Sequence, residues 1–258
     1  MLRGLYTAGV GMTTQMKRMD VVSNNIANIN TTGFKKDTAV TSAFEDVLAK
    51  RTHDIEDKKF PPFARKVGDI TYGAFIDEVY TDFSQGSLRT THGTYDLAIA
   101  GDGFFVVNTT AANGTETERY TRDGSFTVDA NGILVTKDGG RVQGENGSIE
   151  IPNGTVVVEA NGGVFVDGEL IDRIKMTDFE DKTKLRKYGD NYLTKTDDAA
   201  EIPFTGTVIQ GSLEASNVNS VKEMVDLITV NRTYEANQRI IQAIDTTLQR
   251  SAQDVGRK

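Results

Sequence analysis

The sequence of 258 residues contains no cysteine, no tryptophan, two histidines and four prolines. Without cysteine there is no disulfide framework, no thiolate metal site and no thiol nucleophile. The absence does not fix a compartment: it suits a chain that meets an oxidising exterior, and cytosolic chains can share it. Positive charge is also short. Against 37 Asp and Glu stand 29 Lys and Arg, which leaves a formal charge of −8. Phosphate binding needs the opposite balance, so a generic nucleic-acid binder is disfavoured. Long apolar runs are lacking too. Phe104–Val107 and Val156–Val158 are short, whereas a membrane span needs roughly 20 apolar residues. Thr7, Gly9, Gly11, Thr13, Thr14 and Gln15 stand where a secretory signal would be apolar. The expectation is a chain that is cytoplasmic or leaves by a route needing no cleaved signal.

What is present divides the chain into three compositions. Residues 1–30 lack proline and carry a helical apolar period, residues 70–212 are rich in Gly, Thr and Val, and residues 217–255 lack both proline and glycine. In the middle, Asn-Gly occurs at 113–114, 131–132, 146–147, 153–154 and 161–162, and Asp-Gly at 102–103, 123–124, 138–139 and 167–168. These dipeptides tolerate the positive φ of tight hairpin turns, and short β-branched or aromatic runs lie between them. The spacing predicts antiparallel hairpins instead of βαβ units.

Both ends read as long helices. Leu227, Tyr234, Ile241, Leu248 and Val255 recur every seven residues, with Val230, Asn237, Ile244 and Ser251 three positions on. That is a coiled-coil-like seam with two polar insertions. Ser216 or Asn217 is placed to cap this helix, and Ser220–Glu223 has capping-box spacing. Over 220–254 it would span roughly 50 Å, more than the β domain alone would cover. Leu5, Met12, Met19 and Ile26 repeat the device at the N-terminus, with Ala8, Val22 and Ile29 at plus three and Gln15 breaking the row. Gly4, Gly9 and Gly11 each cost about 1 kcal/mol relative to Ala, so this helix needs a partner. The fold class expected is α+β: an antiparallel β-rich central domain flanked by long terminal helices that pair antiparallel as a coiled-coil-like stalk. The expected divisions are 1–34 for the N-terminal helix and junction, 35–70 for an extended arm, 71–215 for the β-rich domain and 216–258 for the C-terminal helix. Within the arm, Ala43–Lys50 has the look of a short helix, and Pro61-Pro62 bars one.

Catalytic constellations are not found. His53 sits in a charge run and His92 in Thr90-Thr91-His92-Gly93, with no Gly-x-Ser-x-Gly elbow and no His-Glu-x-x-His. Gly101-Asp102-Gly103 begins a dinucleotide fingerprint, but Val106 stands in place of the third glycine, so a β-turn is expected. Asp197-Asp198 and the cluster Asp178–Asp181 lack calcium-loop spacing and read as solvated surface. No catalytic residue, cofactor site or metal site is assigned. A wall-directed hydrolase or carbohydrate-binding β module remains the alternative.

The stretch Asn24-Asn25-Ile26-Ala27-Asn28-Ile29-Asn30-Thr31-Thr32-Gly33-Phe34-Lys35 crowds four Asn and two Thr at the end of a helical stripe. Such side chains compete for backbone groups, and Gly33 can close a helix in the left-handed conformation. One stop residue would suffice for an ordinary terminus, so a shaped junction built on Asn24, Asn25, Asn28, Thr31 and Gly33, anchored by Phe34, is weighed equally. This stretch resembles the signature of the bacterial flagellar rod, hook and hook-basal-body axial proteins. Three further stretches match in order: Leu97–Val107; Tyr120–Phe126 with Gly132–Thr136; and Gly211–Asn219, running on into Glu223-Met224-Val225 and Asn231–Gln238. The length is similar to that of the proximal or distal rod proteins. The resemblance implies a non-enzymatic, self-assembling subunit of the flagellar basal body that transmits torque for motility. It implies export by the flagellar type III apparatus without a cleaved signal peptide, and a helical tube shared with other rod and hook proteins. No nucleic acid and no small-molecule substrate are implied. The assembly residues expected are Leu5, Met12, Met19 and Ile26 against Leu227, Tyr234, Ile241 and Leu248, or against their equivalents in neighbours.

Overall fold

The computed structural model describes residues 2–51, 65–110, 116–189 and 191–255. His53, Pro61, Pro62 and the Asn113-Gly114 turn lie outside the described residues. The chain forms two compact units: Met1–Asn24 with Asp37–Tyr80 and Val221–Lys258, and Asn25–Lys36 with Thr81–Ser220. The expected cut at 70/71 is not followed. The strand Ala74–Thr81 pairs with Asp37–Ala43, and this non-local ladder draws the whole arm into the unit of the helices.

The first unit contains most of the helices α1 (Leu2–Ala27) and α2 (Ser220–Val255); Asn25–Ala27 and Ser220 fall in the second unit. No helix among the described residues is long and apolar enough to cross a membrane. Threonines on both helices donate to carbonyls four residues back, as Thr14 Oγ1 does to Val10 O at 2.9 Å and Thr229 Oγ1 to Val225 O at 2.9 Å. That bond satisfies hydroxyls that otherwise compete with the helix. Thr14 Oγ1 also donates to Ala74 O at 2.6 Å, and the rings of Tyr6 and Tyr72 meet edge-on at 6.2 Å. The arm thus packs on α1. The short helix expected over Ala43–Lys50 is absent: Val47–Arg51 is a strand paired antiparallel with Arg65–Ile70, and that pairing overrides the local preference.

The second unit is the hairpin-rich domain. Its largest sheet has nine strands, centred on Phe104–Thr110, which pairs with Glu116–Thr121 on one side and with Arg141–Val142 and Met176–Phe179 on the other. A separate three-stranded sheet joins Val156–Val158, Gly163–Val166 and Glu169–Arg173. Its second hairpin turns on Asp167-Gly168 alone, with φ of 51° and 90°. Positive φ at both central residues matches the turn twist to that of the strands. The core lies in two clusters. The larger includes Leu97, Ile99, Phe105, Val107, Ile149 and Ile174. The smaller groups Phe104, Val106, Tyr120, Phe179, Leu185 and Leu193, with the Tyr120 and Phe179 rings edge-on at 4.9 Å.

Tyr120 gives this unit an alkaline signature. Its hydroxyl donates to Glu201 Oε1 at 2.9 Å, beside the Lys195–Glu201 pair at 2.5 Å. Burial first, and then the bond to Glu201, push the phenol far above its ordinary value of 10.0; Tyr192 is raised as well, mainly by burial. Groups raised in the fold stabilise it fully below the unfolded pKa, and the contribution is lost as pH climbs beyond that value. Urea midpoints of the β-rich unit are therefore expected to fall above about pH 10. Tyr120→Phe should cost about 1 kcal/mol at neutral pH and make that fall shallower. An equally steep alkaline limb in the variant would contradict this assignment.

Candidate functional site: a buried charge junction and two helix faces

The chain crosses between the units at 24/25, 36/37, 80/81 and 220/221. Within the second unit, the segments next to three of these crossings are bonded to one another. Lys36 N donates to Asn217 Oδ1 at 2.8 Å, Asn217 Nδ2 donates to Asp82 O at 2.8 Å, and Asp82 N donates to Lys36 O at 2.9 Å. Asn217 therefore does not spend its side chain capping α2; it clasps the passages together.

Beneath this clasp lies a charged triad. Glu214 accepts from Lys35 Nζ on Oε1 at 2.6 Å and from Arg122 Nη1 on Oε2 at 3.1 Å. The Glu214 side chain is 0 % exposed, and those of Lys35 and Arg122 are 4 % and 3 % exposed. Further bonds spread the charge: Gly86 N donates to Glu214 Oε1 at 2.8 Å, Lys35 Nζ to Ser84 O at 2.8 Å, and Arg122 Nη2 to Gly101 O at 2.7 Å. Arg122 Nε has no hydrogen-bond partner. Burial lowers the Lys35 pKa, outweighing the attraction of Glu214. The net cation–anion ratio is two to one, so the carboxylate is the member whose loss strands the most charge.

The Asn-rich segment wraps this triad. Asn25 is buried, Asn24 is exposed, and Asn28 Oδ1 accepts from Thr31 Oγ1 at 3.1 Å. Gly33 adopts φ of 67° and donates its N–H to Glu214 O at 2.8 Å. A Cβ at Gly33 would stand 2.5 Å from both Arg122 C and Asp123 N, so only glycine fits. Phe34 is buried under Lys187, whose Nζ lies 4.3 Å from the ring centroid and donates to Lys35 O at 2.6 Å. Asn191 Nδ2 and Thr32 Oγ1 complete the wrap, bonding Thr32 O and Asp123 Oδ1 at 2.6 Å each.

Of the helix residues named from the sequence, Met12, Met19, Ile26, Leu227, Tyr234 and Ile241 are half-buried, while Leu5 and Leu248 are exposed. Val230 and Ala8, in the plus-three rows, are buried. Gly4 lies beside Ile244, whose Cδ1 would meet an added Cβ at 3.2 Å, and Gly11 lies beside Asn237, whose Nδ2 would do so at 3.0 Å. A second face of α2 is bare: Val221, Met224, Val225 and Ile228 are 70 %, 51 %, 55 % and 53 % exposed.

Other candidates from the sequence are scattered. His92 is exposed in a connecting segment at φ of 60°, its N–H bonded to Gly211 O at 3.0 Å. Asp197 and Asp198 are exposed. Asp178 is not the solvated residue expected. It lies on a strand that pairs on both sides, is buried, and its Oδ1 lacks a hydrogen-bond partner, with Lys182 Nζ at 3.9 Å. Local sequence does not reveal the triad; the trace it leaves there is an acid, Glu214, inside a strand reading Ser212-Leu213-Glu214.

Comparison with known proteins gives matches along the chain. The model of the flagella basal body rod protein covers residues 5–35, that of the flagellar hook protein FlgE/F/G D1 domain covers 98–166, and that of the flagellar basal body rod FlgEFG protein C-terminal covers 209–254. The flagellar basal-body rod protein FlgF of Caulobacter vibrioides is 37% identical over 96% of each chain. The flagellar basal-body rod protein FlgG of Borreliella burgdorferi is 34% identical over 96% of this chain and 97% of its own. FlgG of Caulobacter vibrioides is also 34% identical, over 98% of this chain and 99% of its own.

Proposed function

The chain belongs to the flagellar basal-body rod protein family and is a structural subunit of that rod; on this premise we propose that it assembles by burying the apolar faces of its two terminal helices. Its place is the flagellar basal body, among other rod and hook proteins. Family membership leaves the wall-directed alternative without support.

In this reading α1 and α2 pair antiparallel as a coiled-coil-like stalk. The support is the pair of close approaches, Gly4 to Ile244 and Gly11 to Asn237, which advance seven residues on one helix while retreating seven on the other. Small residues permit such proximity, and the seam then holds Met12, Met19 and Ile26 with Leu227, Tyr234 and Ile241. The observation that carries assembly is the bare stripe Val221, Met224, Val225 and Ile228, spaced i, i+3, i+4 and i+7. Copies of the chain stack into a helical tube by covering it, each large side chain gaining about 1.5–3 kcal/mol. Export unfolded through the flagellar apparatus precedes this step, and a glycine-weakened α1 keeps the ends pliable until neighbours arrive. The role is mechanical: the assembled shaft transmits torque and catalyses nothing.

Two aspartates separate the faces. Ile228→Asp, on the bare stripe, should leave the monomer's thermal transition unchanged and stop rod formation. Ile241→Asp, in the seam, should also stop rods while sparing the thermal transition of the β-rich unit. Normal rods from Ile228→Asp would contradict the proposal.

A further inference from the structure

Asparagine followed by glycine is a chemically labile pair. The glycine amide nitrogen attacks Cγ of the asparagine, and glycine puts no Cβ in the way. A new C–N bond closes a five-membered succinimide, and the side-chain nitrogen leaves as ammonia. Water then opens the ring at either carbonyl, giving aspartate or isoaspartate. Ring closure needs the asparagine side chain and the glycine N–H to turn toward each other. Hydrogen bonds that hold either group therefore slow it.

Such pairs begin at Asn131, Asn146, Asn153 and Asn161 among the described residues, and all four asparagines are exposed. Their hydrogen bonding separates them. Gly132 N donates to Asp129 O at 2.9 Å, and Asn131 Nδ2 donates to Asp129 Oδ2 at 3.2 Å. Gly162 N donates to Glu159 O at 2.9 Å. Asn161 Nδ2 donates to Glu159 Oε2 at 3.2 Å, and its Oδ1 accepts from Gly163 N at 2.8 Å. Asn146 donates to Asp172 from both N and Nδ2, at 3.3 and 3.0 Å.

Asn153-Gly154 differs from all three. Neither the Asn153 side chain nor the Gly154 N–H has a hydrogen-bond partner among the described residues. Gly154 is exposed and lacks the positive φ of Gly132, Gly147 and Gly162. A Cβ there would stand 2.5 Å from Asp167 Oδ2, so the close approach of Asp167 favours glycine at the position. We propose that Asn153 is a site of spontaneous deamidation, with water as the co-reactant, and that the fold selects it over Asn131, Asn146 and Asn161. Conversion adds a negative charge beside Asp167, whose Oδ1 accepts from Thr155 N at 2.9 Å. The isoaspartyl product also lengthens the main chain by one carbon just before the strand Val156–Val158.

The test is incubation of the intact, full-length chain in mildly alkaline buffer, followed by cleavage after glutamate and mass spectrometry. Cuts after Glu145, Glu150 and Glu159 place Asn146, Asn153 and Asn161 in separate fragments, and Asn131 falls before Glu145. Conversion of amide to acid at Asn153 should outrun that at each of the other three by about tenfold or more. In urea the bonds that restrain the other pairs are lost, and the four rates should converge. Asn153→Gln, which must close a larger ring, should silence its own fragment and leave the other rates unchanged. Conversion at Asn131 or Asn161 as fast as at Asn153 in the folded chain would overturn the proposal. A lead for Asn153 that persists undiminished in urea would also overturn it, since the fold would then not be what selects the site.

Discussion

Glu214→Ala is expected to lower the thermal midpoint of the β-rich unit by roughly 10–15 °C. The substitution leaves Lys35 and Arg122 buried without their shared carboxylate. Breaking a buried pair costs about 3–5 kcal/mol, because the surviving charge stays desolvated. For a unit of about 150 residues, each kcal/mol moves the midpoint by about 2–4 °C. Glu214→Gln should do almost as much damage, since its amide keeps the shape and loses the charge. The triple change Lys35→Met/Glu214→Leu/Arg122→Met should recover part of the loss, because no cation is then stranded. Differential scanning calorimetry of the three proteins decides the point. A shift of under 2 °C in Glu214→Ala would show that the triad does not hold the junction.

Gly33→Ala carries the second largest effect. Left-handed backbone costs an L-residue about 1–2 kcal/mol. Here a new Cβ also meets backbone atoms at 2.5 Å, which cannot rotate away. The junction must open, and the Gly33 N–H bond to Glu214 O goes with it. A total of about 3 kcal/mol or more is expected, with impaired rod formation. Gly168→Ala is the matched control: its φ of 90° is also left-handed, but nothing lies within 4 Å of the added Cβ. That variant should lose only the backbone share. Equal losses at the two positions would mean that close packing against Arg122 and Asp123 contributes nothing.

The contrast between these glycines marks what the sequence could convey. Asp167-Gly168 is legible as a hairpin because the turn chemistry is local. The helices are legible for the same reason: one face per 3.6 residues is a property of a short window. Gly33 is legible as a helix stop, but the backbone that forbids a side chain there comes from Arg122 and Asp123. The triad is invisible in the sequence, since Lys35 and Glu214 are 179 positions apart. Asn217 misleads in the same way. Its position before α2 fits a cap, yet its amide serves Lys36 and Asp82. The arm fails for a related reason: Val47–Arg51 is held extended by a partner strand that local preference does not register.

In the proposed assembly the terminal helices order against neighbours, while the β-rich unit is folded beforehand. Hydrogen exchange on the dilute monomer and on assembled rods measures this directly. Amides of the sheet around Phe104–Thr110 should be protected in both states. Amides of α1 and of α2 should exchange within seconds to minutes in the monomer and become protected in the rod. Full protection of both helices in the dilute monomer would contradict the claim.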